Sequence, residues 1–273
     1  MNMKKFASKN RLVVFYGFAF LISWISWLLM SQVYSGGEPG VVVYLFSSIG
    51  GLGPLLALLI LQKLIGGEVS VKQILSRIKI RRADKRWFIP AIFALPAITV
   101  LGNIGYYAVG WENRLQFITS GTDELGFFVL PVMAIHFTAS LVTSPLFEEP
   151  GWRGFALEKL QQRFGRTLGS LFVGVLWWIW HQPMNLTFGL QPTVYSALSM
   201  VVFSFIIDSL FNLSNQNLFT AMLTHQSVGT VNVFLYQGSE NWLSFSMKVA
   251  LLLALRLMER SRVRKQSATF AVG

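Results

Sequence analysis

The sequence predicts an all-α fold, a polytopic transmembrane helical bundle of about eight spans with both termini in the cytoplasm. Three observations predict it. First, the chain is apolar throughout, with 53% hydrophobic and 13% charged residues among 273, where a soluble domain carries about 25% charge. Second, at least seven windows of roughly 18 or more mostly apolar residues are long enough to cross a bilayer as helices. Third, 21 of the 23 Lys and Arg sort onto one side once those windows are read as spans, and basic loops stay in the cytosol. The runs are continuous rather than alternating, which excludes a transmembrane barrel and leaves helices, whose backbone satisfies itself in lipid.

In chain order the predicted spans are approximately 12–33, 41–64, 88–110, 126–147, 168–187, 193–211, 217–236 and 242–258. The first run is too long for a cleavable signal, and no small-residue cleavage site follows it; it reads as the first span. Basic residues crowd the N-terminus (Lys4 to Arg11), the connectors 63–86 and 148–167, and the C-terminal end from Arg256 to Lys265. The opposite loops carry Glu38, Glu112, Asp123, Glu124 and Glu240, with Arg114 as their cation. Within the basic connector, the stretch "VKQILSRIKI" mixes apolar and cationic positions, as a short interfacial helix does. Prolines 145 and 150 should break the fourth span, and Pro183 the fifth.

The formal net charge of +11 is therefore orientation rather than a nucleic-acid footprint, and the expected partners are the lipid bilayer and whatever the site takes. Zero cysteines excludes disulfides, thiolate catalysis and Cys-liganded zinc. No internal repeat, low-complexity tract or soluble domain is apparent, so residues 1–273 read as a single membrane-embedded domain.

Against this background the ionisable residues inside spans stand out. Each costs roughly 2.5–3.5 kcal/mol at the bilayer centre even on lenient insertion scales, and those that persist usually face an interior cavity. The stretch "SPLFEEPGWRGFALEKL" puts Glu148 beside Glu149, with Arg153 four residues after the second. On a helix Glu149 and Arg153 share a face and can pair, which leaves Glu148, rotated by about 100°, to point into a cavity. Adjacent, dehydrated carboxylates raise each other's pKa, so such a group can take a proton from water near neutrality. The plainer reading is an interfacial salt-bridge cluster at a helix end.

All three histidines fall inside predicted spans. His181, in "LWWIWHQPMN", lies ~13 residues, about 20 Å, into its span, and Trp177 four residues earlier can pack beside its imidazole. The alternative is an aromatic belt at the headgroups. His225, in "AMLTHQSVGTVN", lies ~8 residues, about 12 Å, deep, with Gly229 keeping that face open. Its alternative is a helix–helix hydrogen bond through Thr224, His225 or Gln226. His136, three turns before Glu148, reads as structural or part of an access path. Asp208, near the end of its span, should reach the interface or cap a helix.

Taken together these motifs resemble the CAAX protease and bacteriocin-processing family of intramembrane proteases. The family's Glu pair, three residues, then Arg and Gly stands here as Glu148-Glu149-Pro150-Gly151-Trp152-Arg153-Gly154. Its aromatic-x-x-x-His stands as Trp177 to His181, with Trp where Phe is typical. Its last motif stands as His225 to Gly229, with Gly where Asn, Ser or Ala is usual. The resemblance covers about residues 126–236, which it marks as the catalytic core. It implies peptide-bond hydrolysis in the membrane: Glu148 and His181 activate a water, His225 helps stabilise the oxyanion, and Glu149 with Arg153 holds the first motif in place. It also implies a peptide or membrane-protein substrate. The absence of cysteine and the compact layout suit a bacterial cytoplasmic membrane, and the placement of the key side chains in their spans predicts a cavity open to the cytosol. Gly229 puts one oxyanion donor in doubt, a loss that can cost ~10²–10³ in rate.

No cofactor is required on this reading. A zinc alternative stays open, with His181, His225 and one of Glu148 or Glu149 as ligands, although no HExxH is present. Two other functions compete. In a transporter the same groups would form a proton relay, but many transporters show internal repeats. A non-catalytic immunity or scaffold protein would keep the fold without the chemistry.

Overall fold

The computed structural model describes residues 3–120, 122–237 and 241–272, with the side chains of 263 and 265–272 excepted. Glu240 and the side chain of Lys265 thus lie outside the described residues. The first helices are α1 (Met3–Lys9), α2 (Arg11–Val33), α3 (Val41–Gly51), α4 (Gly53–Leu64) and α5 (Val71–Leu75). After short 3-10 turns come α6 (Phe88–Ala108), α7 (Val129–Ser140), α8 (Ser144–Gly151), a π-helical segment (Trp152–Leu157), and α9 (Glu158–Trp180). The chain continues with α10 (Gln182–Thr187), α11 (Val194–Leu213), α12 (Leu218–Phe234) and α13 (Trp242–Val272). No strand occurs among the described residues; Ile118 and Leu235 form one isolated bridge.

The protein is all-α, and every predicted apolar window is helical. Three windows are interrupted, at Leu52, at 141–143 and at His181. By length and composition α2, Lys85–Ala108 and α11 can each cross a membrane, and α3 with α4 and Asp123–Ser140 with Ser144–Thr187 each qualify as an interrupted span. These account for three to five of the eight spans expected. The polarity of α2 shows which solvent it meets. Leu21, Ile25 and Leu28 are about half exposed, while Ser23 and Ser26 are buried. Such an inversion suits hydrocarbon outside and close packing inside.

The chain forms two compact units. The first takes the chain up to Ile78 with Val142–Val201. Its core is aromatic: Phe15 meets Trp152 and Phe155 edge-on, and Trp152 meets Trp180. Small residues let α2, α3 and α4 approach closely, and a Cβ at Gly53 would strike Ser23. The α3–α4 bend of 44° follows from Pro54. Proline has no N–H to give the carbonyl four residues back, and that carbonyl, of Gly50, accepts from the Ser23 hydroxyl at 2.6 Å instead. The predicted interfacial helix shortens to α5, capped by Ser70, with Val71 and Ile74 buried. Two basic segments are tied here: Arg11 pairs with Glu68, and Arg77 with Glu158 at 3.1 Å.

The second unit takes Lys79–Leu141 and the chain from Val202 on. Gly102 and Gly105 of α6 pack against Ser244 and Leu243 of α13. Asn103 donates to the carbonyls of Gln116 and Tyr236 and accepts from Asn241, gathering the loops at that end. Asp208 lies fully buried on α11, five residues before the helix ends. It is neither a cap nor an interfacial group, because α11 runs on to Leu213 where the hydropathy window stopped short.

Candidate active site

The local backbone around the Glu pair is unusual for its sequence. The helix does not break between the two prolines. Pro145 occupies the first turn of α8, where its missing N–H costs nothing, and the interruption falls before it, at 141–143. Pro150 sits inside the helix and withholds a bond from the Leu146 carbonyl. The backbone absorbs this by widening into π-helical pairing over Trp152–Leu157 rather than stopping. The helical run therefore continues through Arg153 and Glu158 until Gly165, whose φ of 80° turns the chain. Gly169 then lies against the backbone of Leu160 and Gln161; a Cβ there would sit 2.6 Å from the Gln161 nitrogen. This corner returns the second limb of α9, with Trp177 at its far end, alongside the first motif.

The side chains meet as follows. Arg153 pairs with Glu149 at 3.1 Å, both fully buried, as the spacing predicts. The Arg153 guanidinium also stacks 4.5 Å over the Trp177 ring. Glu148, 3% exposed, is not left to point freely into a cavity. Ser144 donates its hydroxyl to one carboxylate oxygen at 2.6 Å, and Trp177 donates its indole N–H to the other at 2.9 Å. The i, i+4 rule that brings Arg153 to Glu149 brings Ser144 to Glu148. Sequence reasoning missed that contact, although the spacing signals it. The indole bond has no such signal, because it joins residues 29 apart through a corner.

His181 ends α9. Its ring packs edge-on to Trp177 at 5.3 Å and to Trp180 at 4.7 Å, and stacks on Trp27 at 6.3 Å. Its Nδ1 lies 2.8 Å from the Trp177 carbonyl. A carbonyl only accepts, so Nδ1 carries the proton, and in neutral imidazole Nε2 is then the basic nitrogen. Trp177 thus touches the Glu pair's first member with its ring and His181 with its backbone.

The remaining predicted residues belong to the second unit and sit on or against α12. His225 is half-buried, with Phe203 edge-on at 6.3 Å. Of its neighbours, Thr224 donates to the Thr220 carbonyl and Gln226 to Thr230, both within α12. A Cβ at Gly229 would meet nothing nearer than the Gln226 side chain at 3.4 Å, so that face is open. His136 on α7 packs edge-on to Phe234 and lies 3.5 Å from the Thr230 hydroxyl.

The zinc alternative takes His181, His225 and one of Glu148 or Glu149, ligands drawn from both units. In the first unit a cation would draw on Glu148, Glu149 and His181. Both Glu148 oxygens already accept protein hydrogen bonds, and Glu149 faces a guanidinium. Among the described residues of this unit no three His, Asp or Glu form a ligand group.

Comparison with known proteins points the same way as the motifs. The family model described as Type II CAAX prenyl endopeptidase Rce1-like matches residues 129–231. A CAAX prenyl protease 2 of Methanococcus maripaludis is 28% identical over 173 residues, 60% of this chain and 59% of that protein. A lysostaphin resistance protein A of Staphylococcus haemolyticus is 30% identical over 104 residues, 38% of this chain and 28% of that protein. The chain thus spans less than two thirds of either relative's length. The matched segment holds the Glu pair, Arg153, Trp177, His181, His225 and Gly229 in family order, and over it the chain is similar to the CAAX protease and bacteriocin-processing family.

Proposed function

We propose that this protein is an intramembrane endopeptidase that cleaves a membrane-associated peptide or protein with a water activated by Glu148 and His181. The observation that carries the reading is the shared anchor: Trp177 donates to Glu148 and accepts from His181, so one residue holds both a buried carboxylate and a half-buried imidazole. A general base must be held within hydrogen-bond reach of the proton it takes, and two fixed donors orient this one.

The reaction follows from those groups. The water oxygen attacks the scissile carbonyl carbon while its proton passes to the Glu148 carboxylate. The resemblance assigns the oxyanion to His225 and to whatever donor replaces the family amide at Gly229. The C–N bond then breaks and the captured proton goes to the leaving amine. Glu149 and Arg153 act as scaffold, since each is fully buried against the other. No cofactor is needed. The family names further suggest a polypeptide end as substrate, and the basic connectors suggest a site reached from the cytosolic side of a bacterial membrane.

The test compares peptide termini by mass spectrometry in cells carrying wild-type protein or Glu148→Gln at equal membrane abundance. Gln keeps an acceptor for Trp177 and a partner for Ser144, so the variant should fold. Termini that vanish in the variant establish proteolysis and identify the substrate. Identical profiles across growth conditions would sink the enzyme reading and favour a scaffold, and altered ion flux without altered peptides would favour transport.

A further inference from the structure

The second unit holds a cavity of about 620 Å³ that the proposed chemistry does not use. It lies where two membrane helices end. Trp87 closes the 3-10 turn that opens α6, Leu213 ends α11, and Leu257 and Met258 of α13 complete an apolar wall. The other wall is cationic. Arg86 and Arg262 line it, with Asp84 and Ser261.

Both guanidiniums are held in position. Arg86 gives its Nε to Asp84 at 2.8 Å, which leaves its two terminal nitrogens, on a side chain 75% exposed, for another acceptor. Arg262 bonds the Leu213 carbonyl and, at 2.7 Å, the Asn215 side chain, and so keeps its own Nε. Ser261 spends its proton on the Leu257 carbonyl. The buried Trp87 indole N–H has no partner among the described residues. The backbone of the site is tied as well: Asp84 donates to the Ser214 carbonyl, and Asn217 reaches Lys79. The open fork of Arg86, the Nε of Arg262, an unspent indole donor and one charge-compensated carboxylate make a site for a single anion.

We propose that this cavity binds an anionic phospholipid, with its phosphate between Arg86 and Arg262 and the start of an acyl chain along Leu213, Leu257 and Met258. A site at the ends of two bilayer-length helices sits at headgroup depth, where basic pockets between helices take acidic lipids. Guanidinium forks match phosphate oxygens in pairs. The apolar wall distinguishes a lipid from a free anion, which would gain nothing from it. This inference is independent of the protease reading.

The full chain in detergent, titrated with phosphatidylglycerol, phosphatidylcholine or inorganic phosphate, decides it by thermal shift and by lipid retention in native mass spectrometry. Phosphatidylglycerol should stabilise and be retained, phosphatidylcholine should bind at least tenfold more weakly, and millimolar phosphate should not stabilise. Arg86→Gln, at an exposed side chain that cannot unfold the helix, should weaken phosphatidylglycerol about tenfold, while Lys72→Gln removes the same charge elsewhere without effect. Arg262→Gln should act like Arg86→Gln wherever it folds. Equal binding of the two lipids, equal loss with Lys72→Gln, indifference to Arg86→Gln, or stabilisation by phosphate alone each overturns it.

Discussion

At the scale of single residues the site is organised around Trp177. Trp177→Phe keeps a ring against His181 and under Arg153 but removes the donor to Glu148. Loss of a hydrogen bond to a buried charged group costs about 1.5–3 kcal/mol, so peptide cleavage should fall ~10-fold or more while the protein stays folded. Ser144→Ala should act in the same direction. A double-mutant cycle gives the sharper reading: in a Glu148→Ala background, which leaves no acceptor for the indole, Trp177→Phe should lower the unfolding temperature less than it does in the wild type. The Glu149–Arg153 pair should behave differently. Removing one partner of a fully buried pair leaves an uncompensated charge, about 3–5 kcal/mol, so Arg153→Met should lower membrane abundance and unfolding temperature more than Glu149→Leu with Arg153→Met together. Gly229 offers the opposite sign. Its open face admits a side chain, so Gly229→Asn should fold normally, and turnover that rises toward ~10²-fold would show that the missing amide limits the rate. Unchanged turnover would show that another donor already serves.

At the scale of elements the decisive feature is the corner at Gly165. The sequence places a span at 168–187 and leaves its approach to Glu148 unexplained. The structure starts α9 at Glu158, turns at Gly165 and seats Gly169 on the backbone of the first limb. Neither glycine announces this in sequence: an isolated Gly in a helical pattern reads only as a weak point. The Gly165 backbone, at φ 80° and ψ 167°, lies in a region that side chains avoid at about 1–3 kcal/mol, so Gly165→Ala should lower the melting temperature. Gly169→Val should do more harm, since its side chain meets backbone, and cleavage should drop with it because Trp177 loses its register to Glu148. The expectation for Pro150 failed for a related reason, while the break expected at Pro183 falls at His181. Propensity says that Pro150 ends a helix, but packed surroundings allowed a π-helical detour, which no local pattern predicts. What was legible at this scale was whatever depends on short spacing: the Glu149–Arg153 pair and the Trp177–His181 contact.

At the scale of the whole molecule, composition alone established an all-α membrane protein, and each apolar window proved helical. What composition could not reveal is how the chain divides. Both units draw on two separate stretches, and that depends on long-range packing. Sidedness is open to direct measurement because the chain has no cysteine, so every introduced thiol is the only one. Lys5→Cys should label from the cytosolic side alone, and Glu38→Cys from the opposite side alone; the reverse pattern would overturn the orientation read from the basic connectors. A metal chelator should leave cleavage intact, and loss restored by zinc would overturn the cofactor-free mechanism.

The ring of indoles around His181 has an optical consequence. Protonated imidazole quenches indole emission at contact distance, and Trp180, Trp177 and Trp27 all lie within 6.3 Å of that ring. The intrinsic fluorescence of the protein should therefore dim as His181 takes up a proton, with His181→Gln abolishing the transition. The charge on the proposed catalytic imidazole can then be followed without a label and without a known substrate.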